Sequence, residues 1–167
     1  MKFMVPSAVP TYSGLAVPVN SPFALMNAQG TNSKRADGQL TGLAGEFFVA
    51  AELLKRGLQT SVTFGNAKAI DLLAFNPKTR RSFTVQVKAL RKPAQFPISH
   101  DRVEREHIYV FVLLNSPGVP VQYFIVPGTI LADQPARFTK WFLDRKFPGI
   151  PPSALKDFAD AWHVFES

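Results

Sequence analysis

Three polar side chains interrupt two apolar, strand-length stretches near the middle of the chain. Asp71 lies in the first stretch, residues 69–75, and Gln86 and Lys88 lie in the second, residues 82–89. Burying an aspartate or a lysine without a partner is costly, so these groups need either one another or a ligand. Carboxylate and amide oxygens suit a hard cation such as Mg²⁺, and an ammonium beside them suits a phosphate oxygen.

The two stretches are predicted to form a β-hairpin. They are rich in β-branched and aromatic residues, and an Asn-Pro pair opens the loop between them. Residues two apart in a strand share a face, so Gln86 and Lys88 point the same way. If Phe75 faces Ser82 across the loop, Asp71 faces Gln86, with their Cβ atoms about 4.5–5.5 Å apart. A slip of one residue would move Asp71 to the other face.

A helix is predicted upstream of the hairpin, over residues 37–56, and it carries a third candidate carboxylate. Glu46 shares one stripe of this helix with Leu43, Ala50 and Leu53, by the i+3/i+4 spacing. A carboxylate on an apolar face needs a partner. That partner is a backbone group or an arginine in an ordinary core, and a metal ion in a site.

Other elements follow from the apolar patterns along the chain. Residues 1–36 predict a poorly ordered or surface-packed arm, and residues 37–167 predict a single domain. Further strands are predicted over 58–64, 108–114 and 121–126, the last two as an antiparallel pair, with helices near 128–133 and over 154–162.

Charge favours a polyanionic partner. The formal net charge of this 167-residue chain is +7, which favours nucleic acid among possible partners. The densest basic stretch surrounds the hairpin and contains no acid between its first and last members. Its candidate nucleic-acid-binding residues are Lys78, Arg80, Arg81, Arg91 and Lys92, and the alternative for the first three is a solvated turn.

Several other classes of site lack their defining residues. Cysteine is absent, which excludes disulfides, zinc–thiolate sites and a cysteine nucleophile. No apolar run approaches the ~18 residues that a membrane span needs, and together these features favour a cytoplasmic protein. There is no phosphate-binding G-x-x-x-x-G-K loop and no G-x-S-x-G nucleophile elbow. The histidines, His100, His107 and His163, lack the spacing of metal ligands.

Glu46 on a helix, Asp71 on a strand and Gln86-Val87-Lys88 on the next strand together resemble the PD-(D/E)XK nuclease superfamily. The resemblance covers about residues 40–126. It is strongest to the branch that contains archaeal Holliday junction resolvases, and to homing endonucleases that carry Gln-x-Lys. It implies a restriction-endonuclease-like fold of the α/β (α+β) class. Such a fold has an N-terminal helix, a mixed central sheet of about five strands and flanking C-terminal helices.

The resemblance also implies roles for the four candidate catalytic residues. Glu46, Asp71 and Gln86 would be the ligands of Mg²⁺ or Mn²⁺, and Lys88 would be the catalytic lysine. This sequence departs from the family pattern at Gln86, where Glu or Asp is usual, and at Ile70, where Pro is usual. The glutamine removes one negative charge from the metal site, although its amide oxygen can still bind a cation.

The expected function is therefore metal-dependent hydrolysis of DNA by an endonuclease, with DNA as the partner. A homodimer is also expected, with the N-terminal arm and the Trp141–Phe142 region as candidate surfaces. Two alternatives remain open. One is a catalytically inactive nucleic-acid-binding module of the same fold, and the other is an interaction protein in which Asp71 and Lys88 form only a salt bridge.

Overall fold

The structure, a computed structural model, describes residues 32–63 and 70–166, with side chains from residue 37 onward. Most of the predicted N-terminal arm lies outside the described residues. In chain order, the helices and strands are α1 (Asn32–Lys55), β1 (Gln59–Val62), β2 (Leu72–Asn76), β3 (Arg81–Leu90), β4 (Phe96–Pro97), β5 (His107–Leu113), β6 (Gln122–Pro127), α2 (Gly128–Asp133) and β7 (Gly149–Ile150). Short 3₁₀ helices span His100–Arg102, Pro135–Arg137, Lys140–Leu143, Pro152–Phe158 and Trp162–Phe165.

The main sheet is mixed and has five strands in the order β1-β2-β3-β5-β6. β3 and β5 are parallel, and every other neighbouring pair is antiparallel. β4 and β7 form a separate two-stranded antiparallel sheet. This arrangement confirms the predicted α+β fold class, in which an N-terminal helix precedes a mixed five-stranded sheet and further helices follow it.

The β2–β3 hairpin has the predicted register, because Phe75 pairs with Ser82. The turn between the strands is built by Asn76. Its Oδ1 accepts a hydrogen bond from the backbone N–H of Lys78 at 2.9 Å and, more weakly, from that of Thr79 at 3.4 Å. An asparagine that bonds to its own following backbone is a common way to start a tight turn. The Asn-Pro signal in the sequence therefore marks the real loop.

Two apolar layers cover the two faces of the sheet. The layer on the α1 side contains Val49 and Leu53 of the helix, and Val85 and Val87 of β3. The layer on the other side is rich in aromatic residues and is centred on Phe96, Tyr109, Phe111, Phe124, Phe138 and Phe142. Because β5 is an interior strand covered on both faces, its residues are buried alternately in the two layers.

The C-terminal part differs from the single helix predicted over residues 154–162. It forms two 3₁₀ helices, Pro152–Phe158 and Trp162–Phe165. Asp160 separates them, because its φ of 48° is left-handed and its N–H donates to the Tyr123 carbonyl at 3.0 Å. Pairing with the edge strand β6 thus replaces the helical hydrogen bonds that the apolar spacing predicted.

Two further expectations concern surfaces. Phe142 is buried in the aromatic layer, so only Trp141 of the predicted Trp141–Phe142 dimer surface is exposed. On α1, Ala50 and Leu53 are buried as expected, whereas Leu43 of the same predicted stripe is 39% exposed.

None of the helices within residues 32–63 and 70–166 combines the length and apolar character that crossing a bilayer requires.

Candidate functional site

Asp71 lies at the point where β2 and β3 begin to separate. Regular pairing of the two strands stops at Leu72 and Val85, one residue short of the predicted Asp71–Gln86 pair. The Asp71 N–H donates to the Val85 carbonyl at 2.9 Å, and Asp71 Oδ2 accepts the N–H of Val87, further along β3, at 2.6 Å. The carboxylate thus takes the place of a backbone carbonyl in the ladder. It lies near the plane of the sheet, where backbone N–H groups point.

Gln86 and Lys88 project from the face of β3 that turns away from α1. Their neighbours Val85, Val87 and Ala89 pack toward the helix, so the alternation of a strand sends Gln86 and Lys88 to the opposite face. Both side chains are half-buried. This confirms the predicted split of β3 into an apolar face and a polar face.

Glu46 approaches the same strand from the helix side. The preceding residue, Gly45, touches β3 so closely that a Cβ added to it would lie 2.5 Å from the Ala89 Cβ. A glycine is therefore required for α1 to pack at this distance. Gly42, one turn earlier, has open space around it. The contact at Gly45 places Glu46 beside the separated ends of β2 and β3.

The Asp71 carboxylate is electrostatically coupled to both Glu46 and Lys88. Burial raises the pKa of Glu46 above its ordinary value, and the negative charge of Asp71 raises it further. Burial lowers the pKa of Lys88, while Asp71 acts in the opposite sense. In the part of the chain that the structure describes, neither Glu46 nor Lys88 belongs to an ion pair within 4.0 Å. The direct Asp71–Lys88 salt bridge of the third hypothesis is therefore not formed.

The donor chemistry of this cluster fits a hard divalent cation. The negative charges of Glu46 and Asp71 repel each other in a partly buried environment, and a cation bound between the two carboxylates would relieve that repulsion. Only one oxygen of Asp71 is occupied by the Val87 N–H, which leaves the other for a ligand. Within the described residues, no three His, Cys, Asp or Glu side chains are close enough together to hold a metal. Any ion here would therefore need the Gln86 amide or water as a further ligand.

Two of the predicted nucleic-acid-binding residues, Arg91 and Lys92, follow β3 directly and lie at the same end of the hairpin as Lys88. Arg91 Nε donates to Thr41 Oγ1 at 2.8 Å, and that hydroxyl donates to the Asp37 carbonyl at 2.7 Å. This chain of hydrogen bonds fixes the guanidinium beside α1. Lys92 is exposed.

The other three predicted residues, Lys78, Arg80 and Arg81, lie at the opposite end of the hairpin. They belong to the turn and to the first position of β3. Asp71 and Asn76 are five positions apart along the strand, which corresponds to roughly 17 Å. The structure therefore divides the basic stretch into two groups, one beside the candidate site and one a full strand length away.

An open cleft lies beside Arg81, and the sequence analysis did not identify it. It has a volume of about 620 Å³ and is lined by residues of β1, β2 and β3, among them Leu73, Arg81 and Thr84. Leu73 and Thr84 lie on the same sheet face as Gln86, and Leu73 is 49% exposed. The one sequence signal for it was the run of polar residues at alternate positions of β3, which indicates a strand face without a helical cover.

Comparison with known proteins adds no assignment, since no family model, no curated protein and no solved structure matches this chain.

Proposed function

We propose that this protein is a metal-dependent endonuclease that hydrolyses phosphodiester bonds of DNA. The observation that carries the proposal is the position of the Asp71 carboxylate where β2 and β3 separate, with one oxygen bound by the Val87 N–H and its charge acting on both Glu46 and Lys88. Two carboxylates and an ammonium are contributed by Glu46 on the α1 side of β3, Asp71 near the plane of the sheet and Lys88 on the opposite face. Such groups are suited to a cation and a phosphate.

Each residue has a distinct role in this proposal. Glu46, Asp71 and Gln86 would hold Mg²⁺ or Mn²⁺, which supplies a polarised phosphate and a more acidic water when bound. Lys88 would donate to a phosphoryl oxygen as negative charge develops there. Because Lys88 is half-buried and has no ion-pair partner within the described residues, its ammonium is free for that contact.

The surroundings support a polyanionic substrate. The cleft of β1–β3 lies on the sheet face that carries Gln86 and Lys88, and its charged lining residues are Arg81 and Glu106. Arg91 and Lys92 lie at one end of the β2–β3 hairpin, and Lys78 and Arg80 lie at the other. A nucleic-acid strand along the open sheet face would meet cations at both ends, which favours phosphate contacts over a neutral substrate.

The decisive experiment measures cleavage of labelled single-stranded, duplex and four-way branched DNA in Mg²⁺ and in Mn²⁺. We expect cleavage of at least one of these by the wild-type protein. Lys88→Met should lower the rate about 10²–10³-fold while the affinity for DNA changes little, because Lys88 would act mainly in the transition state. Lys156→Met, which removes an exposed lysine outside the hairpin and the candidate site, is the matched control and should retain most of the activity.

The same experiment can also contradict the nuclease proposal. Absence of cleavage on all three substrates, together with calorimetry that detects no Mn²⁺ binding by the folded protein, would contradict the nuclease proposal.

The second candidate function is a nucleic-acid-binding module without catalysis, and Gln86 is the observation that favours it. An amide in place of a carboxylate leaves the site with one negative charge fewer, which weakens the binding of a cation. This candidate predicts DNA binding that falls steeply with salt and no metal-dependent cleavage. A Gln86→Glu variant that gains cleavage activity would identify the glutamine as the cause.

A further inference from the structure

The outward face of α1 carries an exposed apolar stripe. Leu40, Phe47 and Leu54 are 57%, 51% and 54% exposed, and Leu43 and Ala51 between them are also exposed. The opposite face of the helix, which packs on the sheet, already buries Val49 and Leu53. We call the five exposed residues, Leu40, Leu43, Phe47, Ala51 and Leu54, the α1 stripe. A contiguous exposed apolar surface of this kind typically marks an interface.

The α1 stripe has the spacing of a helix–helix seam. Its members are successively three, four, four and three residues apart, the i+3/i+4 spacing that keeps side chains on one helix face. It is also symmetric about its centre. Leu40 and Leu54 lie seven residues on either side of Phe47, and Leu43 and Ala51 lie four residues on either side. If two α1 helices pair antiparallel about a two-fold axis at Phe47, each residue before Phe47 faces the residue equally far after it in the other copy. The symmetry of the stripe therefore places apolar residues opposite apolar residues.

The charges beside the stripe agree with the same arrangement. Asp37 and Lys55 are eighteen residues apart, which is five full helical turns, so they lie on one flank of α1. Asp37 lies ten residues before Phe47, and Lys55 lies eight residues after it. In an antiparallel pair, Asp37 of one copy would therefore lie near Lys55 of the other. Asp37 has no ion pair among the described residues, and Lys55, 3.6 Å from Glu52, is 77% exposed.

The size of the surface fits a second copy that binds with moderate strength. The stripe runs for about 21 Å along the helix. Half-exposed Leu and Phe side chains, together with the exposed Phe48 and Val119, offer roughly 500 Å² per protomer. A symmetric pair would thus bury about 1,000 Å², the lower limit for a specific interface. Association should therefore be reversible and depend on protein concentration.

We infer that the α1 stripe is a dimer interface at which two copies of this chain pair through antiparallel α1 helices, with Phe47 at the two-fold axis. The interface lies on the opposite side of α1 from the sheet. The inference does not depend on the nuclease proposal, because it uses none of the residues of the candidate site.

The first test is sedimentation of the full chain over a range of protein concentrations. We expect wild-type protein to shift from monomer to dimer as the concentration rises. Phe47→Glu should remain monomeric throughout, because it would place two carboxylates at the two-fold axis. Phe147→Glu is the matched control, since Phe147 is a 76% exposed phenylalanine away from α1, and it should dimerise like the wild type.

The second test exploits the absence of cysteine, because a single introduced thiol then reports one contact. Phe47→Cys should form a disulfide with its own copy under mild oxidation. Leu40→Cys alone should not, whereas an equimolar mixture of Leu40→Cys and Leu54→Cys should form the mixed disulfide. This pattern identifies an antiparallel seam, and efficient self-linking of Leu40→Cys would instead indicate parallel helices and overturn the proposed geometry.

The remaining occupant of the stripe would be residues 1–31 of the same chain. In that case the wild type would stay monomeric at every concentration, and Phe47→Glu would lower the melting temperature of the monomer. Either result overturns the dimer. In the proposed arrangement, Phe47→Glu melts like the wild-type monomer in dilute solution, because the side chain is already half-exposed there.

Discussion

At the scale of single residues, the candidate site places charges where they are unfavourable in the absence of a ligand. Burial and the neighbouring Asp71 both raise the pKa of Glu46, and burial lowers the pKa of Lys88. In each case the folded protein disfavours the charged form relative to the unfolded chain. These two residues therefore reduce the free energy of unfolding at neutral pH, which is typical of sites shaped by binding rather than by stability.

Glu46→Gln should consequently stabilise the metal-free protein. A carboxyl with a raised folded-state pKa contributes most below its unfolded value of 4.5, and that contribution is lost as the pH rises through the folded pKa. The amide of the variant does not titrate. In the presence of EDTA, urea unfolding should therefore show a gain for the variant at pH 7 that disappears below pH 4.5.

Glu52→Gln provides the control for this prediction. Glu52 is paired with Lys55 and Arg56, at 3.6 Å and 3.3 Å, so its neutralisation should bring no gain in stability at pH 7. Saturating Mn²⁺ should raise the melting temperature of the wild type more than that of Glu46→Gln. A variant that is less stable than the wild type at pH 7 would show that Glu46 has a favourable partner.

Part of this site could be predicted from residue spacing alone. The two-residue period of a strand was sufficient to place Gln86 and Lys88 on one face, and the turn residues fixed the register of the hairpin. The bond from the Val87 N–H to the Asp71 carboxylate could not be predicted. It depends on where the two strands separate, and the spacing of residues in the hairpin does not mark that point.

At the scale of elements, Gly45 determines how closely α1 packs on β3. A Cβ atom added to Gly45 would lie 2.5 Å from Ala89 Cβ and 3.4 Å from Val87 Cγ1, so any side chain here would force the helix away from the strand. Because Glu46 is the next residue, such a movement would also change its distance from Asp71. The packing of the helix and the geometry of the site are therefore linked.

Gly45→Ala should destabilise the protein by about 1–3 kcal/mol, the usual cost of overpacking. Gly42→Ala is the matched control in the same helix. Its added methyl meets nothing within 4 Å, and the better helix propensity of alanine should stabilise by about 0.5–1 kcal/mol. Chemical denaturation measures both changes. Equal effects of the two substitutions would contradict the close contact at Gly45.

The elements themselves were predicted unevenly. Strands with a clear two-residue alternation, and the Asn-Pro turn, appear close to their expected positions. The prediction of the final helix was wrong because its apolar residues serve two different layers of the core. Leu155 and Phe158 pack on the aromatic side, and Trp162 and Phe165 pack on the α1 side. A local period cannot reveal that a segment passes from one face of a sheet to the other.

At the scale of the whole molecule, the C-terminal segment closes both layers of the core. It passes the edge of the sheet at β6, where Ala159 forms a bridge with Phe124. It then reaches β2 on the far side, where Asn76 Nδ2 donates to the Phe165 carbonyl at 2.9 Å. The Phe165 ring lies 5.3 Å from that of Phe83 in an edge-to-face arrangement. This segment joins distant strands of the sheet and covers the exposed side of β6.

Phe165→Ala should therefore cost about 3–5 kcal/mol of stability, because it removes a fully buried ring from the α1 side of the core. Phe147→Ala removes the same number of atoms from a 76% exposed position and should change the stability by no more than about 0.5 kcal/mol. Thermal unfolding of the two variants tests the contrast. A small effect at Phe165 would mean that the C-terminal segment is peripheral to the fold.

The general class of the fold followed from the order of helix and strand patterns, which is a property of the whole chain. The open face of β1–β3 and the α1 stripe did not, because both depend on which surfaces remain uncovered after packing. Phe47 and Leu73 are apolar, and in the sequence nothing separates them from core residues. Exposure of such residues is a result of the assembled structure.

The path of the C-terminal segment also constrains how the protein is made. Neither face of the sheet is complete until Leu155, Phe158, Trp162 and Phe165 have been added. A nascent chain that already contains α1 and all five main strands still exposes apolar residues on both sides. The fold is therefore expected to form after synthesis has passed residue 165, and until then the exposed apolar residues make the incomplete chain prone to aggregation.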